Sequence, residues 1–293
     1  MAVESTREGS EAWRSRRLRA TLLQERYPFA AELLRLYGAL LDVQELAFEA
    51  AQVEGISPAG AARFAAEAVL PRVVQVTAMN GPALLGAQIQ ERLATTDPVA
   101  LVQDWLTGVE QTPVDRYLAR ASTAPILEAL GTAAGEACVG PRDERHCPRC
   151  GGLPQVSVLE PPADSLVGAR RRLLCSRCGW LWTYPRLTCA SCGERQTSHL
   201  HVFAEEGTTE GEMSGSIIRG LDGVRSPAGS RVTPWFPHVR VEACRTCHRY
   251  VLGVDLTRDS RAVPIVDELA ALPLDLYIQE QGFIKIVPNV LGV

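Results

Sequence analysis

The sequence predicts a chain of the α plus small β class: an all-helical N-terminal domain, two small β modules tied by cysteines, and a C-terminal helical tail. Three observations predict it. Apolar residues recur at helical spacing as far as residue 140, with hardly a strand signal among them. Eight of the nine cysteines fall into four Cys-x-x-Cys pairs between Cys147 and Cys247. Helical spacing returns after Leu256. The expected segments are 1–140, 141–187, 188–258 and 259–293.

The first helix of the N-terminal domain is read from Phe29 to Val53. Phe29, Leu33, Leu36, Leu40, Val43 and Ala47 trace one face, and Leu34, Tyr37, Leu41 and Phe48 widen it. So broad an apolar band predicts burial against other helices. Gly55 breaks the helix, and Ser57-Pro58 reads as N-cap and first residue of the next. Pro71 is expected to end or kink that second helix, and Arg72–Val76 fits helix or strand. Asn80-Gly81-Pro82 is a turn. A third helix runs from Ala83 to Leu93, Asp97-Pro98 opens a fourth, and shorter ones start near Pro113 and Pro125. No Ser/His/Asp arrangement and no glycine-rich phosphate loop stands in this half. Cys138, the odd cysteine, reads as a free buried thiol at the end of the last helix. The polar stretch Gly140–Arg145 marks the domain boundary.

The four pairs are Cys147-Pro-Arg-Cys150, Cys175-Ser-Arg-Cys178, Cys189-Ala-Ser-Cys192 and Cys244-Arg-Thr-Cys247. Two cysteines separated by two residues can aim both thiolates at one point, and two such pairs complete a tetrahedral four-sulfur site. The candidate ligands are therefore Cys147, Cys150, Cys175, Cys178, Cys189, Cys192, Cys244 and Cys247, in two sites. Glycine follows the second cysteine in the first three pairs, where the knuckle calls for positive φ; His248 follows it in the fourth. Sequential pairing joins the first pair to the second and the third to the fourth, closing two compact units. The 10 residues between Cys178 and Cys189 also allow those middle pairs to share a site. The layout is that of zinc-ribbon or rubredoxin-like knuckles. Zinc and mononuclear iron both suit four sulfurs. His146 and His248 are assigned to outer hydrogen bonds or solvent, since the thiolates already number eight.

Short strands are expected around Val156–Val158, Leu166–Val167 and Leu173–Leu174, then at His199–Phe203, Val239–Ala243 and Tyr250–Val254. The Gly-, Ser- and Thr-rich stretch 207–230 reads as a long flexible insertion. Trp180 and Trp182 alternate and so share one face of a strand, in a core or an interface. The run Arg170-Arg171-Arg172 fits a solvated face or balances thiolate charge better than it fits nucleic acid. In the tail, Val263–Leu272 has helical spacing, Pro273 interrupts it, Leu274–Gln281 resumes it and Gly282 caps it. The apolar Phe283–Val287 should lie against the body.

The class of the whole chain is bounded by its charge. With 293 residues, 22% charged and a net charge of −4, the chain is globular and unlike a general nucleic-acid binder. Of its 30 basic residues only Lys285 is lysine. No export signal or membrane helix is visible, so a cytoplasmic location is expected, where paired cysteines are metal ligands before they are disulfides.

These features resemble the formate dehydrogenase accessory protein FdhE family. The likeness rests on Cys147-Pro-Arg-Cys150-Gly-Gly-Leu-Pro154, Leu173-Leu-Cys175-Ser-Arg-Cys178, and Trp182 and Arg186 before Cys189-Ala-Ser-Cys192-Gly193. It continues in Glu242-Ala-Cys244-Arg-Thr-Cys247-His-Arg-Tyr250, Val266-Asp-Glu-Leu-Ala270, Leu274-Asp-Leu276 and Glu280-Gln-Gly-Phe283. It covers residues 147–293 well and the helical half in outline. The resemblance implies two rubredoxin-like modules holding two mononuclear metal ions, iron by family, with zinc also fitting. It implies a non-enzymatic accessory factor that binds the catalytic subunit of formate dehydrogenase during its maturation in the cytoplasm. The chain departs from the family in its long 207–230 stretch, in Tyr250-Val-Leu-Gly253 where a lysine is common, and in Pro273. A rubredoxin-type electron carrier and a zinc-ribbon nucleic-acid binder are the alternatives. The residues carry no signal of oligomeric state.

Overall fold

The computed structural model describes residues 2–162, 168–205, 216–218 and 234–292, with backbone alone for 2–10 and 216–218. Internal packing divides the chain into two units: residues 1–153 with 175–180 and 289–293, and residues 154–174 with 181–288. The four segments expected from the sequence divide the chain by motif, whereas these units divide it by contact.

The first unit is helical. It opens with a helix that the apolar pattern did not predict, α1 (Ala2–Arg26). Its stripe is thin, with Trp13, Ala20 and Leu23 buried while Leu18 and Leu22 are exposed. Helix α2 (Ala31–Val53) buries Leu34, Tyr37, Leu41 and Phe48 as expected, while Phe29 lies outside the helix and is 44% exposed. Trp13 of α1 packs on Phe48 with ring centroids 5.9 Å apart, and Arg16 forks onto Glu128 at 3.0 Å. Ser57 caps the next turn by accepting from the Gly60 N–H.

Helical backbone then runs on past Pro71. Helix α3 (Ala61–Phe64) passes through one π turn (Ala65–Val69) into α4 (Leu70–Asn80), so Arg72–Val76 is helical. The π turn has a cause: Pro71 has no N–H, and its ring would clash with a regular preceding turn, so the Leu70 N–H bonds the Ala65 carbonyl instead. Helices α5 (Ala83–Leu93) and α6 (Pro98–Thr107) follow as expected, the latter capped by Asp97. The expected start near Pro125 is corrected: α7 (Pro113–Leu130) runs through that proline. Pro125 frees the Ala121 carbonyl, which Gln44 of α2 satisfies at 2.9 Å. The short α8 (Ala134–Ala137) leads to the first knuckle.

The second unit is built on one mixed sheet of eight strands rather than on two separate small sheets. Its strands are β1 (Pro154–Glu160), β2 (Arg170–Cys175), β3 (Leu181–Thr183), β4 (Leu200–Glu205), β5 (Ser216–Ile218), β6 (Val239–Cys244), β7 (Arg249–Asp255) and β8 (Ile284–Lys285). The order is β3-β2-β1-β7-β6-β4-β5, with β8 beside β7. Strands expected of the two modules merge because β1 pairs in parallel with β7, Val156 opposite Leu252. Most of the insertion 207–230, and Leu166–Val167, lie outside the described residues; within the insertion, Ser216–Ile218 pairs with β4. Trp182 is buried in β3 opposite Leu173, while Trp180 precedes the strand. The tail forms α9 (Pro264–Ala270) and α10 (Leu272–Glu280). The break falls at Ala271, one residue earlier than a helix-ending Pro273 would place it, because proline fits the first turn of α10. Gly282, at φ +84°, ends α10 as expected. The apolar segment after it becomes β8.

Candidate metal centres

The knuckles repeat one backbone design. The Gly151, Gly179 and Gly193 N–H groups bond back to the carbonyls of Cys147, Cys175 and Cys189 at 2.9, 3.3 and 3.0 Å. In return, the Cys147, Cys175 and Cys189 N–H groups donate to Gly152, Trp180 and Glu194. The three glycines have φ of +71°, +66° and +79°. His248, at the same place in the fourth knuckle, takes φ +54°, a left-handed conformation that histidine tolerates better than most side chains. The Arg177 and Ser191 N–H groups point at Cys175 and Cys189 Sγ, each at 3.4 Å. Such contacts offset thiolate charge.

The eight paired cysteines converge in two groups of four, Cys147, Cys150, Cys175 and Cys178, and Cys189, Cys192, Cys244 and Cys247. This is the sequential pairing. Within each group the sulfurs lie within 4.8 Å of one another. The Cys147–Cys178 and Cys150–Cys175 sulfurs are 3.6 and 3.3 Å apart. The Cys189–Cys247 and Cys192–Cys244 pairs are both 3.8 Å apart. A tetrahedron with metal–sulfur bonds of about 2.3 Å has edges of about 3.8 Å, whereas a disulfide would bring sulfurs to about 2.05 Å. The donor set and spacing therefore fit one four-coordinate metal ion in each group.

The two groups differ in cover. All four cysteines of the first are buried, and it lies wholly in the helical unit. Arg142 and Arg177 tie it in: Arg142 donates to the carbonyls of Gly135 and Arg149, Arg177 to those of Val139 and Cys150. Gly152 admits the approach of Cys175, because a Cβ there would stand 2.7 Å from Cys175 Sγ. Arg149 covers the Trp180 ring at 3.2 Å. Cys138 is buried beside this group and outside it; hydrogen bonding to Cys150 and burial push its thiol up. Burial pushes Cys175 up as well, so a cation is what would hold that sulfur as thiolate.

The second group, in the sheet unit, has Cys192 exposed and Cys247 half-buried. Its two knuckles are joined by Glu194, which sequence reading missed. Glu194 accepts from the backbone N–H of Gln196, from Thr246 Oγ1 at 2.7 Å and from His199. Those bonds, the Gln196 N–H first, hold its carboxyl at about 2. His146 bonds Asp143 and is no part of either group.

The arginine run is split by strand alternation. Arg170 is exposed and Arg172 pairs with Glu160. Arg171 is buried, bonding Ser157, the carbonyls of Pro185 and Thr188, and Glu242 at 2.6 Å. It is a sheet-spanning tie, neither a solvated face nor a nucleic-acid contact.

The family model described as "FdhE, C-terminal domain" matches residues 230–291. A "Protein FdhE homolog" of Aquifex aeolicus is 32% identical over 149 residues, 51% of this chain and 42% of that protein. One from Pseudomonas aeruginosa is 30% identical over 145 residues, 50% of this chain and 38% of that protein. The crystal structure of the FdhE protein from Pseudomonas aeruginosa superposes with TM-score 0.61 and 21% identity, covering 97% of this chain and 96% of that one. The chain shares the fold of that FdhE protein, and its residues 230–291 match the FdhE C-terminal domain. The sequence matches span about two-fifths of the length of these FdhE relatives, while the fold correspondence runs through the helical half as well. The shared fold is a helical region followed by a small sheet region, and in this chain it carries two four-cysteine groups. Among the described residues, no helix is long and apolar enough to cross a membrane.

Proposed function

We propose that this chain is a non-enzymatic accessory factor that binds the catalytic subunit of formate dehydrogenase during its maturation, in the cytoplasm. Cys147, Cys150, Cys175 and Cys178 hold one mononuclear metal ion, and Cys189, Cys192, Cys244 and Cys247 hold a second. Family resemblance points to iron, and the sulfur donors suit zinc equally. The observation that carries the reading is the FdhE fold joined to two four-sulfur groups at tetrahedral spacing.

The donor sets suit structural metal ions: each group supplies four protein sulfurs, which fill a tetrahedral site. The metals act as folding ties, because ligand thiolates that must deprotonate to bind couple metal affinity to local structure.

The test is an affinity capture from the native host with metal analysis of the same sample. The expected result is a formate dehydrogenase catalytic subunit recovered with about two metal ions per chain. Capture of no dehydrogenase subunit from cells that express it would overturn the client assignment. A metal content near zero in a folded preparation would overturn the sites.

A further inference from the structure

Beside the second cysteine group, one face of the sheet holds a pocket of about 160 Å³, with Leu200, Val202 and Val251 on its floor. A neighbouring pocket of about 210 Å³ shares Arg186, Val202 and Arg240 with it, so the two form one groove. Arg171, Arg186, Arg240, Arg249 and Arg258 line it, against Glu242 and Asp255 as the carboxylates. This positive strip stands on a chain whose net charge is −4.

The charges are not spent equally. Glu242 takes both Arg171 and Arg240, and Asp255 faces Arg258 at 3.8 Å. Among the described residues, Arg249 meets the Lys285 carbonyl alone, at 3.3 Å, and Arg186 is exposed with no hydrogen-bond or ion-pair partner. Two guanidinium groups therefore offer forked donors over an apolar floor. Arginine binds carboxylates in this way. An inorganic anion would use the donors but not the floor, and would fill only part of a groove that spans two pockets.

We infer that this groove receives an extended, carboxylate-bearing peptide segment of a protein partner, with acidic side chains on Arg186 and Arg249 and apolar ones on Val202 and Val251. The inference rests on the reading that the chain engages a protein client, and it places one contact beside Cys189 and Cys244, which line the same pocket.

The experiment uses the full metal-loaded chain and two fluorescent peptides of about nine residues, one alternating Glu with Leu, the other Gln with Leu. Anisotropy should show the Glu peptide binding at least about tenfold more tightly, and more weakly as salt rises. Arg186→Gln with Arg249→Gln should remove about tenfold or more of that affinity. Arg63→Gln, an exposed change in the helical unit, should leave it unchanged. Equal binding of the two peptides overturns the inference. So does full affinity in the double variant, or a double variant that loses metal while binding the Glu peptide normally, since the arginines would then serve only the thiolates. Inorganic phosphate that displaces the peptide stoichiometrically reduces the groove to an oxyanion site. A chain that binds the Glu peptide yet captures no dehydrogenase subunit keeps the groove and loses the client.

Discussion

The Gln44 side-chain amide donates to the Ala121 carbonyl at 2.9 Å, from one buried helix to another. That carbonyl is free because Pro125, four residues on, has no N–H to offer it. A polar residue at 5% exposure in α2 thus repairs a proline defect in α7. Gln44→Leu keeps the volume and removes the donor, and should cost about 1–3 kcal/mol. Pro125→Ala restores a backbone donor for the same carbonyl, so in that background the cost of Gln44→Leu should shrink. Urea unfolding of the four proteins of this cycle measures the coupling. Equal costs in both backgrounds would show that Gln44 acts through packing alone.

Gly152→Ala should empty one metal site and spare the other. Its Cβ would fall 2.7 Å from Cys175 Sγ and 3.3 Å from Arg177 Cβ, in a knuckle where both neighbours are backbone-bound and have little room to retreat. The expected metal content drops from about two ions per chain to about one. The remaining ion should be lost on adding Cys244→Ser but not on adding Cys147→Ser. Two ions retained in Gly152→Ala would refute the crowding argument.

Chelators should strip the two sites in sequence. Solvent reaches Cys192 and, in part, Cys247, while all four sulfurs of the first group are buried. Removal should be biphasic, with the second group supplying the fast phase, because ligand exchange begins at an accessible sulfur. Cys192→Ser should abolish the fast phase and leave the slow one. A single phase, or a slow phase lost in that variant, contradicts the assignment.

What could be read from the sequence follows the range of the interactions. The knuckles are local: two cysteines, a two-residue turn and a glycine at positive φ, all within six positions. Their sequential pairing needed only that each site close a compact unit. Helix α1 escaped notice because Trp13, Ala20 and Leu23 make a stripe too thin to stand out among arginines. By a local rule Pro71 predicts the end or a kink of a helix and Pro125 the start of one, whereas the backbone accommodates them through a π turn and through Gln44. The union of both modules in one sheet rests on the parallel β1–β7 pairing, nearly a hundred residues apart, which no periodicity encodes. Arg171 and Glu242 likewise meet only once the sheet exists.

The Tyr117 hydroxyl faces Thr77 in the helical core, and burial pushes its ionisation up to about 12, the Thr77 hydrogen bond opposing. An unfolded tyrosine ionises near 10. Folding therefore favours the protonated form, so this contribution is complete below pH 10 and is lost as pH rises toward 12. Tyr250 is shifted in the same direction, chiefly by burial. Stability should fall steeply between pH 9.5 and 11.5, on the order of 2 kcal/mol of it owed to Tyr117. Tyr117→Phe should flatten the decline without abolishing it. An unchanged slope in that variant would remove Tyr117 as a cause.

Lys285, the chain's lone lysine, is buried between Glu268 and Asp275, with Nζ–O distances of 2.8 and 2.9 Å. Burial acts to lower its pKa, but the two carboxylates overcome that and raise it. The Tyr250 hydroxyl donates to Asp275 at 2.8 Å, and Gln155 to Glu268. One ammonium thus serves two carboxylates, and burial raises the Glu268 carboxyl despite the lysine. The two partners should respond unequally. Lys285→Met leaves both acids buried without a cation and should cost about 3–5 kcal/mol. Glu268→Gln removes the excess negative charge, keeps the shape, and should cost about 1 kcal/mol or less. Burial already raises the Glu268 carboxyl against the opposing pull of Lys285; without the lysine it rises further above its unfolded value, so Lys285→Met gains stability relative to wild type as pH falls from 8 toward 5. Urea midpoints of the three proteins at pH 8 and pH 5 test this. A deficit in Lys285→Met that stays constant with pH would mean that lost packing, not stranded charge, is what the lysine prevents.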